Sequence, residues 1–198
     1  MPISINGTGS ITGLSAGGLP DACVTAADLA SGAARSNFGA GAILQVSQTT
    51  ITTVVSITTS ATWTDITGLS VSITPSSSSN KILVLTCVHG STNTNGTARI
   101  VRTVSGVDTV VFVSTSAAGS GLLSGGGDFY GGGYSGNSVG HYIFLDSPSS
   151  TSAVTYKVQG NAYNGASYPL TINATNFDGD AYYRYRGASS ITVMEVAA

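Results

Sequence analysis

Charge is what this sequence has least of. Only 8% of its 198 residues are Asp, Glu, Lys or Arg, against about a quarter in an ordinary soluble domain. Seven basic residues against nine acidic ones leave a net charge of −2. That balance offers no basic stripe to neutralise phosphates, so no nucleic-acid partner is expected. Two cysteines cannot form a disulfide framework. Cys87 reads as a small apolar side chain within a strand, and a bridge to Cys23 is left open. The two histidines, His89 and His141, have no Cys/His cluster beside them, so no metal site is expected. No stretch approaches the roughly 18 apolar residues of a membrane span. Residues 1–20 lack the basic start and apolar core of a signal peptide. Synthesis in a cytoplasm, without membrane insertion, is the expectation.

Glycine, serine and threonine stand where the charges would be, so the surface is built from hydroxyls and backbone. A lone monomer with so few charges is poorly protected against association, and the chain reads as a subunit of an assembly. Its organising stretch runs from Thr62 to Val88. Leu69, Val71 and Ile73 alternate with Ser70, Ser72 and Thr74, the period of a strand with one apolar face. Pro75 ends that strand, Ser76–Ser79 and Asn80 make a turn, and Ile82–Leu85 is continuously apolar, as in a strand buried on both faces. The expectation is a hairpin at the centre of a β-sandwich.

Strand patterns continue from Ile43 to Val196, about ten in all, with Ser105-Gly106 as a two-residue hairpin turn. Their spacing suits a sandwich or jelly roll. In the last strand Ile191 and Val193 point one way and Met194 and Val196 the other. A strand apolar on both faces needs a second cover, and a partner subunit supplies one. Residues 1–41 differ: short apolar beats broken by glycine, then one short helix over Ala26–Ala34. Such an arm buries too little to offset its ordering entropy alone. The division expected is an attachment arm over 1–41 and an all-β domain over 42–198.

Chemistry is sparse. The nine acids form no pair suited to glycoside hydrolysis, no serine sits in a nucleophile elbow, and Gly125–Gly133 lacks the Lys-Ser/Thr of a phosphate loop. Asp178-Gly179-Asp180 lacks the rest of a calcium loop and reads as a turn. No catalytic residue and no cofactor are expected. Two aromatic clusters are candidates for ligand binding: Phe129, Tyr130 and Tyr134 in a glycine-rich loop, and Tyr182, Tyr183 and Tyr185 alternating with Arg184 and Arg186. Aromatic faces with polar tips suit sugar or protein contact. Filling intersubunit gaps or capping the sandwich end is the alternative role for both. Trp63 reads as a core anchor or a subunit contact. Asn6, Asn95 and Asn173 head glycosylation sequons, which carry meaning only on a secretory route.

Three segments together resemble small bacteriophage virion proteins with a tumour-necrosis-factor-like jelly roll. They are Asp65–Pro75 with its serine run and Lys81-Ile82-Leu83-Val84, the strand Arg99-Ile100-Val101-Arg102, and the closing Ser190–Val196. The resemblance covers about residues 43–198. It implies an all-β jelly-roll β-sandwich with a short N-terminal arm, assembled as a homotrimer with its C-terminal strands near the axis. Ile191, Val193, Met194 and Val196 are the expected trimer interface. Such proteins include tail-fibre tips, head fibres and capsid decorations, and the arm looks like their virion-attachment segments. The implied role is a structural virion component, held by other virion proteins through residues 1–41. The alternative is a receptor-binding tip that recognises a host surface glycan or protein. No catalytic residue carries over.

Overall fold

The computed structural model describes residues 39–113, 129–130, 136–179, 181–182, 184 and 186–198. Residues 39–198 form one structural unit. Ten strands run in chain order: β1 (Ile43–Ile51), β2 (Val55–Ile57), β3 (Thr64–Ile73), β4 (Lys81–Ser91), β5 (Gly96–Val104), β6 (Val107–Phe112), β7 (Ser138–Asp146), β8 (Val154–Ala162), β9 (Leu170–Ile172) and β10 (Ser189–Val196). They make two antiparallel sheets packed as a β-sandwich. Sheet I has the order β1-β10-β4-β9-β2, with β7 on the other edge of β4. Along that shared edge of β4, β10 pairs with Lys81–Cys87 and β9 with Gly90–Ser91. Sheet II has the order β3-β8-β5-β6.

The expected alternation holds in β3, where Leu69, Val71 and Ile73 are buried while Ser70 and Ser72 are exposed. Register slips between Asp65 and Ser70. Gly68 takes a positive φ of 81° at the slip, a conformation costly for any residue with a Cβ. The bulge lets Ile66 and Leu69, three apart, both face the core. The hairpin expected between β3 and β4 does not form. β3 pairs with β8 in sheet II and β4 with β10 and β7 in sheet I, so the proline–serine segment crosses between sheets. At Ser105-Gly106 the tight hairpin does form, with φ of 50° and 80°, the two positive values of a type I′ turn.

Two polar clusters, one part-buried between the sheets and one buried at the β3–β4 connection, tie the sandwich together. Asp146 on β7 takes both carboxylate contacts from Arg102 Nη1 on β5 (2.8 and 2.9 Å) and accepts a bond from the Tyr156 hydroxyl on β8 (2.7 Å). Burial, then the Asp146 carboxylate, push the Tyr156 phenol far above its ordinary range. Glu195 on β10 is fully buried and organises the serine segment. Its carboxylate accepts from Ser76 N–H (2.6 Å), Ser76 Oγ (2.7 Å), Asn80 Nδ2 (2.7 Å) and Gln45 Nε2 (2.5 Å). Burial alone raises a carboxyl's pKa, but here the bonds from Asn80, Ser76 and Gln45 outweigh it and hold Glu195 below its usual value.

Where β1 gives way to β2, and β9 to β10, Asn173 joins the pieces. Its backbone is left-handed (φ 64°), which asparagine tolerates better than most residues. Its Nδ2 donates to Ile51 O and Thr53 O (both 3.0 Å), and its Oδ1 accepts from Ser189 Oγ (2.6 Å). Fully buried, this asparagine is a structural hub, and its sequon is inaccessible.

Candidate functional site

The two sheets show opposite outward faces. On sheet II the outward side chains satisfy one another. Arg99 lies over the Trp63 ring (4.3 Å to its centroid) and donates to Gln159 Oε1 (2.8 Å); Gln159 donates to Asp65 Oδ1 (2.7 Å). Lys157 bridges Asp65 (3.1 Å) and Asp108 (2.8 Å). This is a solvated face, and Trp63 is half-buried within it rather than anchoring the core.

Sheet I presents apolar side chains outward, in rows fixed by register. Val46, Met194, Leu83 and Leu145 stand abreast on β1, β10, β4 and β7. The next row is Gln48, Thr192, Leu85 and Ile143, with Gln48 Nε2 donating to Thr192 Oγ1 (2.7 Å). A third row, Thr50, Ser190, Cys87 and His141, is small and polar. Ile143 is 61% exposed, Val46 56% and Leu145 50%. Lys81 is the one described Lys, Arg, Asp or Glu among the outward residues of these four strands. Val46, Met194, Leu83, Leu85, Ile143 and Leu145 thus make the outward face of sheet I largely apolar, and large exposed apolar patches are uncommon on monomers.

The sequence candidates divide on this frame. Met194 and Val196 lie on the outward face of sheet I, as the alternation requires, but Ile191 and Val193 have no exposure and belong to the sandwich core. That removes the latter two from any interface. Sequence reading missed the better candidates on β4 and β7, Leu83, Leu85, Ile143 and Leu145. The run Tyr142-Ile143-Phe144-Leu145 was their signal, since it is apolar at both parities.

Phe129 is not a ligand-binding side chain. It is 1% exposed and its ring fills the space that Gly90 and Gly140 leave on neighbouring strands; a Cβ at either glycine would lie 2.8 or 3.0 Å from it. Its neighbour Tyr130 is 55% exposed and Tyr182 is fully exposed. Tyr134, Tyr183 and Tyr185 lie outside the described residues, as does Cys23. Cys87 is a free thiol on the outward face of sheet I, its pKa raised by burial. His89 and His141 sit on adjacent strands of that face, offset by two residues in the register. Among the described residues, no three His, Cys, Asp or Glu side chains come together as metal ligands. Asp178 is engaged by Arg186 through two bonds (2.7 and 3.1 Å).

No protein-family model matches the chain, and no curated protein matches it.

Proposed function

We propose that the chain is a structural virion protein of a bacteriophage, a homotrimeric fibre or capsid-decoration protein anchored by residues 1–41 with its jelly roll exposed. The observation that carries this reading is the contrast between the outward faces: an ion-paired face on sheet II and a nearly uncharged apolar face on sheet I. Burying each outward Leu, Ile, Val or Met of sheet I contributes roughly 1.5–3 kcal/mol, and copies of the same chain need no charge complementarity to do so. The strand order supports the jelly-roll reading. β1-β10-β4-β7 against β3-β8-β5-β6, all antiparallel, is the order expected of an eight-stranded roll, with β2 and β9 as short additions. The resemblance of Asp65–Pro75 and Ser190–Val196 to phage virion proteins supports the trimer and the virion location.

The attachment role of residues 1–41 is supported by where the sandwich begins. Gly41 N–H donates to Ala197 O (2.8 Å) and Ala197 N–H to Ala42 O (2.9 Å), so the chain enters beside the end of β10. Phe129 and Tyr130 are tied at the far end of β4, through Thr92. Three arms on one trimer would add as avidity without any single strong interface. Deleting residues 1–41 tests the reading: the remainder should fold and associate but fail to join particles. Incorporation at the wild-type level would move attachment to the sandwich. The second reading, a receptor-binding tip, draws support from the tyrosine-bearing surface at that far end.

A further inference from the structure

We propose that the end of the sandwich opposite residue 39 is a binding site for a neutral saccharide; the inference rests on the receptor-recognition reading of that end. Thr92, in the β4–β5 turn, gathers the site. Its N–H donates to Phe129 O (3.0 Å), it bridges Tyr130, and its Oγ1 donates to Tyr168 O (3.0 Å). Three residues on, Asn95 O accepts from Tyr163 N–H (2.9 Å). Tyr130, Tyr163 and Tyr168 are thereby brought to one loop cluster, 55%, 69% and 42% exposed.

The cluster is held in place before any ligand arrives. Ala61 N–H donates to Ala162 O (2.8 Å), and Ala166 N–H to Ser60 Oγ (3.2 Å). Gly165 lies so close to the β2–β3 connection that a Cβ would stand 2.7 Å from Thr59 O. Loops fixed in this way lose little entropy on binding.

The same end concentrates unanswered polar groups. Among the described residues, Asn93 Oδ1, Thr94 Oγ1, both amide atoms of Asn137 and Asn161 Nδ2 are buried without a hydrogen-bond partner, and Asn161 is 1% exposed. Buried polar atoms left in that condition are rare in folded domains and call for a partner. Amides and hydroxyls both give and accept hydrogen bonds, as sugar hydroxyls require, and tyrosine rings cover the apolar faces of a pyranose. No Lys, Arg, Asp or Glu occurs in residues 58–63, 91–97, 129–130, 136–140 or 160–170. The nearest described cation, Arg99, is already held over the Trp63 ring and by Gln159, so no free cation among the described residues of this end favours a carboxylate, phosphate or sulfate, and the ligand class is neutral sugar rather than sialic acid, teichoic acid or phospholipid.

The test uses the full chain with Tyr163→Ala and Tyr168→Ala, on an array of neutral and anionic glycans and by amide chemical shifts during titration with the best neutral oligosaccharide. Neutral glycans should bind, shifts should concentrate at Thr92–Gly96 and Tyr163–Tyr168, and each variant should weaken binding about tenfold, one stacking contact, with an unchanged melting temperature. No binding on the array, a preference for anionic glycans, or full binding by both variants overturns the proposal. A parallel arm uses bacterial envelopes before and after periodate oxidation of their sugars. Wild-type binding that survives oxidation but is lost in the tyrosine variants leaves receptor recognition standing and removes the saccharide. Variants that bind envelopes like the wild type remove both.

Discussion

At the scale of single residues, the fully buried Glu195 and Asn173 each join several segments of the fold. One Glu195 oxygen accepts from Ser76 and Asn80 and the other from Gln45, so a glutamine at 195 would turn its amide N–H₂ toward one of these sets of donors. Glu195→Gln should therefore cost about 2 kcal/mol at neutral pH, read by urea unfolding. The pH dependence has a definite sign. Because the folded pKa lies below the unfolded one, the Glu195 contribution is complete above about pH 4.3, the unfolded value, and is lost as pH falls through the folded value. Wild-type stability should fall in that acid window, and the glutamine variant should show a shallower fall there. Asn173→Ala loses the bonds to Ile51, Thr53 and Ser189 and forces alanine into a left-handed backbone. A loss of about 3 kcal/mol is expected, with Asn173→Gly milder because it keeps the φ. Equal losses in the two variants would show that the backbone conformation is not part of the cost.

At the scale of strands, the alternation in β3 and β10 was legible in the sequence because a period of two leaves no choice of face. Partner choice was not. A polar segment of that length serves a hairpin or a crossover between sheets equally well, and what decides is that β8, some eighty residues on, takes the edge of β3. Phe129 was misread for a related reason: aromatic residues among glycines look like a display loop until the strands that receive them are known. Gly90 and Gly140, glycines inside strands, were the available signal, since such positions often mark a close approach. Phe129→Ala should open a cavity between β4 and β7 and cost about 3–5 kcal/mol, measured by denaturant unfolding; a change within 0.5 kcal/mol, roughly that of a surface substitution, would contradict its place in the core. The outward rows of sheet I were half legible. Met194 and Val196 stood out in the last strand, but Leu83 and Leu85 merged into a run that reads as fully buried, because a continuous apolar run does not reveal which of its faces the chain itself covers.

At the scale of the molecule, an 8% charge content and a lopsided pair of faces belong to one account. The described ion pairs of the sandwich strands lie on the outward face of sheet II and in the Arg102–Asp146 link between sheets, while the outward face of sheet I carries Lys81 as its one described charge. Sedimentation velocity of the full chain at micromolar concentration, beside Ile143→Asp, tests this most directly. Ile143 is 61% exposed in the protomer, so an aspartate there leaves the fold intact but places a desolvated charge in any interface built on sheet I. A trimer built on sheet I gives a wild-type species of three times the 19.8 kDa chain mass and a folded Ile143→Asp monomer with the wild-type circular dichroism spectrum. A stable wild-type monomer, or a variant that sediments as the wild type does, would contradict it.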